Sequence, residues 1–370
     1  MEEIQQFHRA INDPDHLSAM DAQKKIIGYT CSYVPEELIH AAGFHPMRLF
    51  SSQGEIVLAE NHLQAYCCHP VRGILEDSLA GKLDFLYGTV FVHTCDSMQR
   101  LSDIWRMQGK YCFFSDLALP AKLDTESAQK YLDQVLKGFK KQLEKLCGHE
   151  ITDTDIRKSI TLFNSIRRLL SDIFALRARN PESMKAADIY ALVKGTMIMD
   201  RQKACTLLKK IARALEQNQA LPGKHRRIII SGSICESLDF YSMVEKAGAA
   251  VVGDDLCTGQ RWFDTQVMVN EGQDPVEAIS ERLTKRIPCP AKHMSLSARK
   301  DHISELAEKT KADGVIFLLQ KFCDPHAFDY PHIKEHLDLL KIKSICIETD
   351  GINLNPGQVS TRIETFIHMI

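Results

Sequence analysis

The chain has 370 residues, of which 44% are hydrophobic, 25% are charged and 7% are aromatic. Its 46 Lys and Arg residues against 48 Asp and Glu residues give a formal net charge of −2. These values exclude a disordered or collagen-like chain, and the near-neutral charge argues against a nucleic-acid-binding protein. The length predicts about two or three domains.

The first part of the chain alternates between apolar strands and helices. Strands are predicted at 24–30, 46–50, 86–94 and 111–114, and helices at 1–22, 35–43, 62–81 and 96–106. Pro35 stands at the start of the second helix, where its fixed φ angle is favourable. This alternation is typical of a mainly parallel sheet with helices on both faces.

The middle of the chain changes to long amphipathic helices, predicted at 127–146, 156–178, 187–199 and 201–217. A second α/β pattern follows the LPGK sequence at 221–224. Its strands are predicted at 226–233, 249–255, 314–322 and 343–350, and its helices at 236–247, 275–285, 299–311, 329–340 and 357–369. We therefore predict an N-terminal α/β domain (1–122), a helical insert or linker layer (123–220) and a C-terminal α/β domain (221–370).

Nothing in the sequence indicates export or a membrane. The longest apolar runs, at 228–230 and 314–319, are far shorter than the roughly 20 residues that span a bilayer. The N-terminus is acidic and polar, unlike a signal peptide. We expect a cytoplasmic protein.

Twelve cysteines are the unusual feature of this composition. No C-x-x-C pair occurs, which weakens zinc-ribbon and thioredoxin interpretations, and a cytoplasmic chain rarely has a disulfide framework. Four cysteines are predicted to be structural because they lie inside helices or strands: Cys147, Cys205, Cys112 and Cys346.

The remaining cysteines lie where ligands would be expected in an open α/β sheet, at strand ends and in loops that lead into helices. Five follow predicted strands: Cys31, Cys95, Cys235, Cys257 and Cys323. Cys67 and Cys68 lie early in a predicted helix, and Cys289 is flanked by prolines. Helix N-termini favour thiolates, and their N–H groups can bind the sulfurs of an anionic cluster. The pattern alone leaves both an iron–sulfur cluster and ordinary buried thiols open.

Longer sequence segments carry a resemblance. In chain order they are GYTCSYVPEELIHAAG (28–43), the long segment from YCCHPVR to SDIW (66–105), DDLCTG (254–259), QKFCDPHAFDYPHIKEHL (320–337) and IETDG with GQVSTRIETF (347–366). In this order they resemble the 2-hydroxyacyl-CoA dehydratase/benzoyl-CoA reductase family nearly end to end. The resemblance implies two flavodoxin-like (Rossmann-like) three-layer α/β domains, a helical layer between them, and an iron–sulfur cluster between the domains.

The resemblance also implies the ligands. Three family positions correspond to Cys68, Cys95 and Cys323, with Cys67 as the rival of Cys68. The sequence is most similar to the homodimeric double-cubane branch, whose [8Fe-9S] cluster uses six cysteines. The additional three positions correspond to Cys31, Cys257 and Cys289, with Cys235 as a competitor for Cys289.

The resemblance implies an iron–sulfur reductase component that reduces an unreactive small substrate. Its electrons would come from a separate ATP-hydrolysing iron–sulfur activator, since this sequence has no G-x-x-x-x-G-K-[ST] loop. One alternative is a 2-hydroxyacyl-CoA dehydratase or benzoyl-CoA reductase subunit, paired with a paralogous subunit. It would carry a [4Fe-4S] cluster and perform ketyl-radical chemistry on a CoA thioester. A second alternative is a non-catalytic iron-binding scaffold.

Other residues are weaker candidates. Glu37 and His40 follow Cys31 on a helix, and Glu37 is either a proton donor or a first-turn helix charge. His69 and His93 flank ligand positions and are either proton donors or packing residues. Ser231, Gly232 and Ser233 form either an anion-binding turn or a plain strand-to-helix turn.

Overall fold

The computed structural model describes residues 1–12, 24–52, 54–217, 225–295, 297–351 and 356–370. The predicted helical residues 13–22 and most of the LPGK boundary region therefore lie outside the described residues. Across the described ranges, no helix combines the length and the apolar character that a membrane crossing requires.

The first sheet has four parallel strands in the order β2-β1-β3-β4. Its strands are β1 (Ile26–Tyr29), β2 (His45–Arg48), β3 (Gly88–Val92) and β4 (Phe113–Leu117), and the helices of this part are α1 (Glu2–Asn12), α2 (Glu36–Ala41), α3 (His69–Leu79) and α4 (Asp96–Gln108). Strands β1, β2 and β3 are buried along their whole length; β1 and β3 are largely apolar, as expected for a parallel sheet covered on both faces, whereas β2 buries His45 and Arg48.

Four helices form the middle layer: α5 (Glu126–Cys147), α6 (Asp153–Arg179), α7 (Ala186–Ile198) and α8 (Arg201–Glu216). Helix α6 begins with a capping box, in which Thr152 and Asp155 satisfy each other's backbone N–H groups. Helix α1 packs against α7 and α8, and Phe7 shares a buried apolar core with them. The first helix is therefore packed on the helical layer.

The second sheet repeats the topology of the first, with four parallel strands in the order β6-β5-β7-β8. Its strands are β5 (Arg226–Gly232), β6 (Ala249–Asp255), β7 (Gly314–Gln320) and β8 (Lys343–Thr349). Its helices are α9 (Leu238–Lys246), α10 (Gln260–Phe263), α11 (Pro275–Lys285), α12 (Ala298–Thr310), α13 (Asp324–Leu339) and α14 (Pro356–Met369). The two sheets confirm the predicted fold class, whereas the domain boundaries remain a prediction.

Some predicted elements were wrong at their ends. The helix predicted at 62–81 begins only at His69, and Cys68 is its N-cap, because Pro70 lacks an N–H and is favoured in a first helical turn. The strand predicted at 111–114 lies at Phe113–Leu117, so Cys112 precedes it and is exposed. The four-residue helix α10 is too short for periodicity to predict.

Two glycines provide a test of this packing. In helix α5, a Cβ at Gly138 would meet no atom within 4 Å, whereas a Cβ at Gly232 would overlap the carbonyl oxygen of Leu318 on the neighbouring strand. We expect Gly138→Ala to stabilise the chain by about 0.5–1 kcal/mol, because alanine loses less backbone entropy in a helix. Gly232→Ala should destabilise it. Denaturant unfolding measures both, and a loss of stability in Gly138→Ala would contradict the packing described.

Candidate functional site

The carboxyl ends of the two sheets face each other across the centre of the molecule. The hydroxyl of Ser51, after β2, donates to Glu236, after β5, at 2.7 Å. The ammonium of Lys292 donates to the carbonyl of His93, after β3, at 3.0 Å. Loops from both sheets thus meet where open α/β sheets bind ligands.

Three of the predicted ligand cysteines begin helices at this junction. Cys68, Cys95 and Cys323 are the N-cap residues of α3, α4 and α13. Burial raises the pKa of Cys68 well above its usual value, that of Cys95 to about 12 and that of Cys323 to about 11. The Cys323 thiol adds to the increase at the other two. These three thiols, the first group, therefore lie close enough to repel one another as thiolates.

The other three predicted ligands form a second group, Cys31, Cys257 and Cys289. Cys31 follows β1 and Cys257 follows β6, and the Ser32 hydroxyl lies 3.5 Å from the sulfur of Cys257. Burial, and next the Cys257 thiol, raises the pKa of Cys31 to about 12. The Cys289 thiol also contributes, so the members of this group are near one another.

Cys289 connects the two groups. Its thiol raises the pKa values of both Cys95 and Cys323, after burial as the largest cause. The six cysteines thus form one series of neighbouring thiols, although they come from separate loops of both sheets.

The two rival cysteines have other surroundings. The thiol of Cys67 lies 3.8 Å from the amide oxygen of Gln64 and belongs to an apolar core. The thiol of Cys235 lies 3.5 Å from the carbonyl of Ser237, and Cys235 packs in the core that contains Tyr190 and Tyr241. Cys31 lies in an apolar core too, and Cys68 and Cys289 pack against such cores, so the choice between the rival cysteines stays a prediction.

Three buried arginines surround the second group: Arg48, Arg261 and Arg286. Burial opposes ionisation of Cys257, but the guanidinium groups of Arg48 and Arg261 outweigh it and lower the pKa of this thiol to about 6. Arg286 donates to the carbonyl of Ser32 at 2.6 Å. Sequence reasoning missed these residues; the only available signal was an arginine within the apolar strand PMRLF.

Several buried polar atoms around the cysteines lack a hydrogen-bond partner among the described residues: Nε and Nη1 of Arg48, Nη1 of Arg261, Oγ of Ser233 and Oγ1 of Thr258. Buried donors are normally paired, so this set fits an additional anionic group. In the described ranges, no three ligating side chains converge as around a single metal ion. An iron–sulfur cluster distributes its thiolates over several irons, so the donor set fits a cluster.

The predicted catalytic residues differ in their surroundings. Glu37 pairs with Arg167 in a buried ion pair. Burial opposes ionisation of Glu37, but Arg167 and Arg282 together with hydrogen bonds lower its pKa. His40 lies 3.1 Å from the Ser159 hydroxyl in helix α6, and burial lowers its pKa. These contacts give both residues partners in the helical layer, and a role in proton transfer remains a prediction.

The two histidines beside the ligand positions remain stronger candidates. His69 is buried next to Cys68, with its Nδ1 3.9 Å from a carboxylate oxygen of Glu236. His93 lies two residues before Cys95 and is 2.6 Å from Asp116. Neither role is tested by these contacts.

The predicted anion-binding turn is largely occupied by protein contacts. The Ser231 hydroxyl donates to Asp255 at 2.9 Å, and the carbonyl of Gly232 accepts from Arg261 at 2.5 Å. The carbonyl of Ser233 accepts from the backbone N–H of Cys257 at 2.9 Å. An anion-binding role for these residues stays a prediction.

A family model described as 2-hydroxyglutaryl-CoA dehydratase, D-component, matches residues 31–370. The chain therefore belongs to the family of 2-hydroxyacyl-CoA dehydratase and benzoyl-CoA reductase subunits. The members of this family named below are subunits of enzymes, and we conclude that this chain is part of an enzyme as well.

Three relatives illustrate the match. The chain is 29% identical over 343 residues to the (R)-phenyllactyl-CoA dehydratase beta subunit of Clostridium sporogenes, covering 93% of this chain and 91% of that one. It is 30% identical over 333 residues to one of the benzoyl-CoA reductase subunits of Thauera aromatica, with coverages of 88% and 85%. It is 25% identical over 370 residues to the (R)-2-hydroxyglutaryl-CoA dehydratase beta subunit of Acidaminococcus fermentans, with coverages of 98% and 97%.

The loop that carries Cys257 depends on a buried carboxyl group. One oxygen of Asp254 accepts from the backbone N–H groups of Leu256 and Gln260, at 3.2 and 2.8 Å. Burial is the largest influence on this group and raises its pKa to about 7. Because the unfolded chain ionises at lower pH, the stability contributed by the protonated form is lost as the pH rises from about 4 to 7.

We expect Asp254→Asn to stabilise the protein relative to wild type at pH 8, by up to roughly 4 kcal/mol for a shift of this size. The amide keeps the accepting oxygen but cannot ionise. The difference should shrink as the pH falls towards 4, as followed by denaturant unfolding at several pH values. Asp239→Asn, at an exposed position, is the control. An equal effect at pH 5 and pH 8 would show that ionisation of Asp254 is not the cause.

Proposed function

We propose that this chain is a cytoplasmic iron–sulfur reductase component that holds an [8Fe-9S] double-cubane cluster on Cys31, Cys68, Cys95, Cys257, Cys289 and Cys323. It would receive low-potential electrons from an ATP-hydrolysing iron–sulfur activator and reduce an unreactive small substrate. The single observation that supports this most is the series of six neighbouring thiols. A single cubane on three cysteines leaves the second group without a function.

The residues of this chain would have separate tasks in that function. The six thiolates would hold the cluster, which supplies electrons at low potential when bound. Cys68, Cys95 and Cys323 begin α3, α4 and α13, and the backbone N–H groups of Val71, Met98 and His326 partly offset the increase in thiol pKa that burial causes. His69 and His93 are the residues that we propose for proton delivery.

The partners follow from the same proposal. A separate activator is required because this sequence has no phosphate-binding loop of the P-loop type. We propose a homodimer, as in the double-cubane branch that the sequence resembles.

A second function fits the relatives equally well. Their names describe beta subunits of CoA-ester dehydratases and a benzoyl-CoA reductase subunit. In that case the chain would pair with a paralogous subunit, act on a CoA thioester and carry a [4Fe-4S] cluster on Cys68, Cys95 and Cys323. A non-catalytic iron-binding scaffold would differ from both by showing no turnover with the activator.

Iron and acid-labile sulfide content separates the first two functions. We expect about eight irons and nine sulfides per chain in anaerobically purified protein, because a bridged double cubane contains that number. Chemical analysis of both elements provides the measurement. About four of each would favour the dehydratase or benzoyl-CoA reductase alternative.

Matched cysteine variants test the ligands. We expect Cys289→Ser to lose about half of the bound iron and Cys95→Ser or Cys323→Ser to lose most of it, since a serine oxygen is a poorer ligand for iron than a thiolate. Cys235→Ser, at the competing position, and Cys147→Ser, in helix α5, should keep the wild-type content. Full retention of iron in Cys289→Ser together with a loss in Cys235→Ser would reverse the assignment.

A further inference from the structure

Arg48 is a buried arginine with an unusual set of partners. It is the last residue of β2, pairs in register with Tyr29 on β1, and is 2% exposed. Its Nη2 lies 3.6 Å from the sulfur of Cys257. Its Nε and Nη1 have no hydrogen-bond partner within the described ranges. The side-chain acceptor that the structure gives this guanidinium group is therefore a thiol.

Three other buried arginines of this protein have carboxylate partners, whereas Arg286 donates to the backbone carbonyls of Ser32 and Arg261. Arg201 is 2.7 Å from Glu36, Arg299 binds Asp255 at 2.7 Å, and Arg177 is 2.9 Å from Glu245. Among the described residues, no carboxylate lies within ion-pair distance of Arg48. A buried charge without a partner costs several kcal/mol. The guanidinium group lies 5.8 Å from the centre of the Tyr29 ring, and the Cys257 sulfur at 3.6 Å is the neighbour that can carry negative charge.

The positive charge is unevenly distributed between the two groups. Arg48 lies near Cys31 and Cys257, and Arg261 lies near Cys257 and Cys289. In the first group, Arg261 also lowers the pKa of Cys323, and Lys292 lies near Cys95. Arg48 is therefore the cation that distinguishes the second group, since its thiol neighbours are Cys31 and Cys257. Nearby positive charge and N–H donors stabilise the more negative, reduced state of a cluster.

We infer that Arg48 is a positioning residue that raises the reduction potential of the half of the cluster held by Cys31, Cys257 and Cys289. The first electron from the activator would then be retained in that half, away from the first group. This inference rests on the proposed double cubane and extends it, because it assigns different roles to the two halves.

Redox titration of the loaded full-length protein tests this inference. Wild type, Arg48→Met and Arg48→Lys would be purified anaerobically and analysed for iron and sulfide. Each protein would then be titrated with titanium(III) citrate, and electron paramagnetic resonance would follow the reduced cluster. Arg177→Lys is the matched control, because Arg177 is equally buried and pairs with Glu245.

We expect Arg48→Met to lower the midpoint potential of the first reduction by at least about 59 mV. This shift corresponds to a tenfold change in the one-electron equilibrium constant. Arg48→Lys, which keeps the charge but offers fewer N–H donors, should show a smaller decrease. Arg177→Lys should match wild type.

Two results would overturn the inference. One is a fully loaded Arg48→Met protein with the wild-type potential; the other is an equal shift in Arg48→Lys and Arg177→Lys. If Arg48→Met binds no iron, the midpoint potentials of Arg48→Lys and Arg177→Lys are compared instead, and a lower potential in Arg48→Lys alone would support the inference. A wild-type content of four irons would contradict the double-cubane function itself. That result would also remove the inference, whereas eight irons with a wild-type potential in Arg48→Met would contradict the inference alone.

Discussion

A buried carboxylate, Glu36, holds the three parts of the molecule together. It accepts from Arg201 of the helical layer at 2.7 Å and from the indole N–H of Trp262, in the second α/β part, at 2.6 Å. Breaking a buried ion pair by removing one partner typically costs about 3–5 kcal/mol. Because Glu36 lies five residues after Cys31, the interaction that joins the parts also fixes the loop that carries the first thiol.

The same constraint explains the charged residues around the site. Two sheets that meet at their carboxyl ends bury loop polar groups, and each buried charge needs a partner. The carboxylate of Asp255 accepts two hydrogen bonds from Arg299 and lies 3.5 Å from Nε of Arg261, so it is the partner of both charges. Arg48 has no carboxylate within ion-pair distance among the described residues, and its Nη2 lies 3.6 Å from the sulfur of Cys257. The proposed thiolate-bound cluster would add negative charge beside it.

One scaffold can serve both functions considered. The first group uses helix N-termini, which are intrinsic to a parallel sheet with crossover helices. The second group consists of Cys31 and Cys257, in the loops after β1 and β6, and of Cys289, which lies between Pro288 and Pro290. Loops tolerate such changes without altering the core. If the proposed double cubane is correct, a change from one cubane to two would need cysteines in loops and positive charge beside them, rather than a new fold.

The sequence alone determined the alternation of strands and helices, because periodicity and burial are local properties of each segment. It also indicated the strand-end cysteines, and the resemblance supplied the family, which the comparisons confirm. Periodicity could not find the start of α3 at His69 or the four-residue helix α10. Only the tertiary structure distinguished the surroundings of Cys289 from those of Cys235 and revealed Arg48 beside Cys257. Those two side chains are 209 residues apart in the chain, and their interaction arises only when both sheets have folded and met.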